Sequence, residues 1–203
     1  ADAVTCVTGC YAQTSPGEIM DIPGVDIVVG TQDRIKLLDY IEQYKEKRQP
    51  INGVGNIMKA RVYEELDVPS FTDRTRASLK IQEGCNNFCT FCIIPWARGL
   101  LRSREPQAVI QQAQQLVNAG YKEIVLTGIH TAGYGEDMKD YNFAQLLKDL
   151  DENVVGLKRL RISSARRIFS SGATSTAANT AATVIAALCL LATATRPHTP
   201  SSA

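Results

Sequence analysis

Hydrophobic and polar positions follow two rhythms along this chain. AVTCVT at residues 3–8 and VDIVV at 25–29 are short β-branched runs closed by Gly9 and Gly30, and both predict buried strands. From Asp33 the spacing changes: Ile35, Leu37, Leu38, Ile41 and Tyr44 recur near the helical period with charges between them. Strand, strand, helix is the close of a small α/β domain, assigned to residues 1–48. The run Lys45, Glu46, Lys47 and Arg48 is the solvated end of its helix. Residues 49–77 mix Pro, Gly, Asn and charge without a sustained period and read as a linker.

A second pattern starts at residue 78. SLKIQEG alternates apolar and polar residues and predicts a strand leading straight into a group of cysteines. Pro106 suits the first turn of a helix running through Ala119, and Gly120 suits its C-terminal cap. EIVLTG (123–128) predicts a strand, NFAQLLKDL (142–150) a helix and LKRLRIS (157–163) a third strand. That alternation predicts an α/β fold with a parallel sheet, specifically the first units of a β/α barrel over residues 78–164. Functional loops in such folds lie at the C-terminal ends of the strands. The cysteine loop and the Gly-bearing loop at 127–135 therefore open onto one face.

Past Ser164 the chain is rich in Ala, Thr and Ser and has no acidic residue, so residues 165–203 read as an ending foreign to the pattern and without function. The apolar part at 181–192 is shorter than the ~20 residues of a membrane span. The N-terminus has no basic stretch before an apolar core, hence no signal peptide, and no starting Met, as expected of a piece of a larger protein. A net charge of +1 means that any nucleic-acid binding must come from a local patch.

Six cysteines could suggest three disulfides, but Cys85, Cys89 and Cys92 lie within eight residues and Cys6 and Cys10 form a second close group. Thiolate ligands in a reduced, cytoplasmic setting are the better reading. Structural zinc wants four ligands, and the nearest histidine, His130, lies in the next loop. A redox CxxC would use Cys89 and Cys92 and leave Cys85 unexplained. In a 4Fe–4S cluster, three thiolates leave the fourth iron open to a substrate or cofactor. The spacing favours this cluster and leaves zinc or a redox pair as alternatives.

CNNFCTFC (85–92) matches CxxxCxΦC, and on it the chain resembles the radical S-adenosylmethionine (SAM) enzymes. KIQEGCNNFCTFCIIPWARGLLRSR, VTGCYAQ at 7–13 and EIVLTGIHTAGYG look more narrowly like the tRNA methylthiotransferases, in their MtaB-type branch. That resemblance implies a partial TIM barrel, preceded by the end of the family's N-terminal domain. It implies that Cys85, Cys89 and Cys92 hold a 4Fe–4S cluster whose open iron binds SAM. It further implies a 5′-deoxyadenosyl radical that abstracts hydrogen from carbon 2 of N6-threonylcarbamoyladenosine beside the anticodon of tRNA. An electron donor such as flavodoxin or ferredoxin is implied too, and no membrane. Cys10 matches one ligand of a second 4Fe–4S cluster; the other two family cysteines would lie before residue 1, so this stretch alone is expected to lack that cluster and activity. Cys6, off the ligand position, reads as a small core residue.

By the same resemblance, Phe91 within the motif and Thr127, Gly128, His130 and Gly133 in the second loop are candidates for the cofactor side; for His130, a packing role is as good a reading. Phe88 and Trp96 either flank the cofactor or pack against the loop. Arg98, Arg102 and Arg104 form a basic cluster suited to phosphate, or else a solvated turn paired with Glu105. Two other functions stay open: a radical SAM enzyme with another substrate, and a non-catalytic zinc- or iron–sulfur-binding module.

Overall fold

The computed structural model describes residues 3–66 and 75–163; the tail from Ser164 onward and residues 67–74 of the expected linker lie outside the described residues. The chain forms an α/β structure with two parallel three-stranded sheets.

The first sheet begins with β1 (Cys6–Thr8), followed by two one-turn helices, α1 (Cys10–Thr14) and α2 (Pro16–Met20), that were not expected. Next come β2 (Ile27–Val29), a 3-10 turn at Arg34–Lys36, α3 (Leu37–Lys47) and β3 (Ile51–Asn52). All three strands are parallel, with β2 in the middle and completely buried. The sheet thus continues past residue 48: Ile27 and Val28 pair with Ile51 and Asn52, in what reads by composition as linker. A further 3-10 turn, Ile57–Lys59, is capped by Asn56, whose Oδ1 accepts from Met58 N at 3.0 Å.

The second sheet contains β4 (Ala77–Lys80), β7 (Glu123–Thr127) and β8 (Arg159–Ile162), all parallel, with β7 central. Between β4 and β7 lie β5 (Gln82–Glu83), α4 (Ile94–Arg98), β6 (Arg102–Ser103) and α5 (Pro106–Asn118). A 3-10 turn at Thr131–Gly133 and α6 (Phe143–Asn153) then lead to β8. Two successive β/α/β crossovers are the architecture predicted from the alternation. Helix α5 turns Val109 and Ala113 inward, and α6 turns Phe143, Leu146, Leu147 and Leu150 inward, at the i, i+3, i+4, i+7 spacing of a packed stripe. They meet Leu79, Ile81, Ile124 and Leu126 from the sheet in one core. The opposite sheet face is polar, with Ser78, Lys80, Glu123 and Arg161 on it.

The strand expected over SLKIQEG is two strands. The chain leaves β4 at Ile81, whose N–H donates to the Thr127 carbonyl at 2.9 Å, and β5 then pairs antiparallel with β6. This short ribbon raises the cysteine loop from the C-terminal edge of the sheet.

Candidate metal and cofactor site

Residues 84–93 form an irregular loop between β5 and α4, and its neck is fixed by backbone geometry. Gly84 has φ +73°, and a Cβ there would overlap the Leu100 carbonyl oxygen, with the Leu100 carbon at 2.6 Å and the Gly99 oxygen at 2.7 Å. Only glycine fits so close a crossing. Cys85 N donates to Gly99 O at 3.1 Å, and Leu101 N donates to Asn86 Oδ1 at 2.9 Å. Within the loop, Cys92 N donates to Cys89 O at 2.9 Å and Asn87 Nδ2 donates to Cys85 Sγ at 3.3 Å.

Cys85, Cys89 and Cys92 are all free thiols, each half-buried. Among the described residues, no three His, Cys, Asp or Glu side chains are grouped as ligands of a metal ion. A cubane cluster makes a different demand, one thiolate on each of three separate irons, and three free thiols on one short loop suit it. Around them the loop is apolar and open: Phe91 is 85% exposed, and Ile93 and Trp96 are exposed as well. Phe88 and Trp96 meet edge to face with ring centroids 6.2 Å apart, so these two aromatics pack on each other.

The ends of the loop meet at a buried carboxylate. Glu83 is 2% exposed and receives Arg98 at 2.6 Å, Lys80 at 2.7 Å and Arg34 at 3.6 Å. Burial pushes its carboxyl up, but Lys80, Arg98 and Arg34 outweigh burial and hold it below the usual range. Arg98 also donates from Nε to Cys10 Sγ at 3.0 Å, so one guanidinium touches both Glu83 and the thiol at the start of α1. The contact is supported on both sides: α1 packs against α4, and the buried Thr31 hydroxyl donates to Ala97 O at 2.6 Å. Cys10 is thereby held beside the helix that follows the cysteine loop. Cys6 is half-buried on edge strand β1 rather than deep in the core, and burial raises its thiol pKa.

The second loop stands next to the first. Thr127 ends β7, paired with Lys80, and Gly128, His130 and Gly133 follow it. His130 is half-buried and its backbone N–H donates at 2.8 Å to Oε1 of Gln82, a fully buried side chain. The sequence pattern brings the cysteine loop and this loop to one face of the sheet; in the structure Gln82 bonds to both, and Cys10 meets Arg98 of the helix that follows the cysteine loop.

The arginines are a correction. Arg102 and Arg104 are 2% and 8% exposed, and Arg98 is half-buried. Arg102 donates to the carbonyls of Arg98 at 3.0 Å and Leu100 at 3.3 Å; Arg104 binds Glu65 at 2.6 Å and also Gln112. The Arg102 and Arg104 guanidinium groups therefore lie inside the fold rather than on a solvated turn, and the contacts of the three arginines are not with Glu105. Gln82 and Glu83 were missed in turn, because polar residues in an alternating strand read as solvent-facing, and Asn86 was missed because nothing in the loop sequence marks its bond to Leu101 N.

The profile of the radical SAM superfamily matches residues 79–190 of this chain. The chain belongs to the radical SAM superfamily. Within it, the chain is 84% identical over 163 residues to the threonylcarbamoyladenosine tRNA methylthiotransferase MtaB of Bacillus subtilis (strain 168), covering 80% of this chain and 36% of that protein. It is 41% identical over 162 residues to the protein of the same name from Aquifex aeolicus (strain VF5), covering 80% of this chain and 39% of that protein. A tRNA-2-methylthio-N(6)-dimethylallyladenosine synthase of Clostridium novyi (strain NT) is 40% identical over 162 residues, covering 78% and 35%. The chain therefore spans little more than a third of the length of these relatives.

Proposed function

We propose that this protein is a tRNA methylthiotransferase that acts at carbon 2 of N6-threonylcarbamoyladenosine, with residues 78–164 as the start of its radical SAM barrel and the first sheet, through β3, as the end of the domain before it. The observation that carries this reading is three free thiols, Cys85, Cys89 and Cys92, on one short loop whose following helix binds Cys10 through Arg98. The names of relatives at 84% and 41% identity support the substrate.

In this reading Cys85, Cys89 and Cys92 hold a 4Fe–4S cluster, and Cys10 contributes to a second one whose other ligands come from outside this stretch. A cluster bound there with SAM would supply the electron for radical chemistry on the adenine. The protein's part is positional. Gly84 and the Glu83–Arg98 pair close the neck of the loop, and Thr127, Gly128, His130 and Gly133 provide backbone against the methionyl end of SAM. Phe91, exposed on the loop, would be free to cover a cofactor bound there and keep water from it. A flavodoxin or ferredoxin class protein delivers the electron. The setting is the cytoplasm, where tRNA is modified; among the described residues no helix is long and apolar enough to cross a membrane. This stretch by itself is expected to bind the first cluster without modifying tRNA.

The test is anaerobic reconstitution with iron and sulfide, followed by metal analysis and electron paramagnetic resonance with and without SAM. Uptake of about four irons per chain, with a reduced signal that changes on adding SAM, is expected. Cys85→Ala abolishes both. A colourless protein that takes up zinc and no iron refutes the proposal.

A further inference from the structure

Gln82 lies between the two loops and bonds to both. It is completely buried, and every hydrogen of its amide is used: Nε2 donates to Glu83 O at 2.8 Å and to Gly84 O at 2.6 Å. Its Oε1 accepts the His130 N–H at 2.8 Å. Backbone groups of a loop usually find partners in the same loop or in water. Here a carbonyl one residue before Cys85 and an amide of the loop after β7 are satisfied by a single side chain. The space around that amide is correspondingly tight. A Cβ on Gly128 would lie 3.0 Å from Gln82 Oε1, 3.1 Å from Thr131 Cγ2 and 3.3 Å from Gln82 Cβ, so a larger residue there would press on the Gln82 amide.

We infer that Gln82 is a positioning residue that fixes the cysteine loop against the loop after β7 and thereby sets how tightly the site holds SAM. The second half rests on the proposed function, since only that reading puts SAM between these loops. A side chain of equal length without the amide fills the same volume but leaves Gly84 O and His130 N–H buried without partners. Supporting groups of this kind act on affinity by keeping the contacting groups in place.

Two variants of the full chain separate the contacts. Gln82→Met removes all three hydrogen bonds. Gln82→Glu keeps an acceptor for His130 N–H and removes the donors to Glu83 O and Gly84 O. In the iron-free protein, amide hydrogen exchange at His130 rises about tenfold or more in Gln82→Met, the scale of one buried hydrogen bond. It stays slow in Gln82→Glu, and exchange in α5 and α6 is unchanged in both. In the iron-loaded protein, Gln82→Met keeps its iron and binds SAM about tenfold more weakly. Unchanged exchange at His130 overturns the inference, as does acceleration spread equally over α5 and α6, or SAM affinity in Gln82→Met equal to that of the parent. A parent chain that takes up no iron refutes the proposed function instead, and the exchange measurement, made without iron, still decides whether Gln82 ties the loops.

Discussion

Replacing Glu83 with Gln keeps the size of the side chain and removes its charge, leaving three cations facing a neutral amide. Arg98, Lys80 and Arg34 lie 2.6, 2.7 and 3.6 Å from the Glu83 carboxylate, and Glu83 itself is 2% exposed. Breaking a buried ion pair by removing one partner costs about 3–5 kcal/mol. The cations are 25%, 36% and 27% exposed and can recover part of their hydration, so the lower part of that range, about 3 kcal/mol, is expected. Against a total stability of roughly 5–15 kcal/mol this is a large fraction. It corresponds to a fall in melting temperature of roughly 6–12 °C for a chain of this size. The assay is urea unfolding followed by circular dichroism at a series of pH values. Because the folded carboxyl sits below its usual pKa, its contribution is complete above the unfolded value of about 4.3 and disappears as pH falls through the folded value. The gap between parent and Glu83→Gln is therefore widest near neutrality and closes in acid. A gap under about 1 kcal/mol at neutral pH, the scale of an exposed pair, would refute the assignment of Glu83 as the buried centre of the neck. So would a gap that stays constant into acid.

Other substitutions probe the same frame. Gly84→Ala combines an unfavourable positive φ with overlap on the Leu100 carbonyl. It is expected to cost on the order of 3 kcal/mol in urea unfolding and to lower iron uptake by displacing Cys85. Asn142 caps α6 through Oδ1, which accepts from Gln145 N at 3.1 Å, so Asn142→Ala should cost about 1 kcal/mol and Asn142→Gly only a few tenths. No loss in Asn142→Ala would show that the cap bond contributes nothing.

The barrel units were legible because each carries its period. Helix α5 begins at Pro106 and Gly120 follows it with φ +99°, as the sequence punctuation predicts, and α6 starts one residue after Asn142. The cysteine triplet stood out by its spacing, which favoured an iron–sulfur cluster and left zinc or a redox pair as alternatives. What escaped was structure built from pieces too short to show a period, namely the five-residue helices α1, α2 and α4 and the two-residue strands β3, β5 and β6. Charge was the other blind spot. Glu83 and Arg102 face each other across the β5–β6 ribbon in the interior, where Glu83 meets Arg34 from the first sheet's side of the chain as well as nearby Lys80, and Arg102 binds the carbonyls of Arg98 and Leu100. No local pattern distinguishes such residues from a solvated turn, and for that reason the arginine cluster read as surface.

Helix α4 has two owners. Its N-terminal side continues the cysteine loop, while Ala97 and Arg98 at its other end are bonded to Thr31 and Cys10 of the first sheet's neighbourhood. The two thiol-bearing regions are therefore not interchangeable parts. Grafting residues 84–98 from a distant relative would import a helix cut to fit a different α1, and the transplant would work only if residues 10–13 and Thr31 travelled with it. Divergence is constrained in the same way: a change at the base of the loop, where α4 meets α1 and Thr31, has to be made on both sides at once.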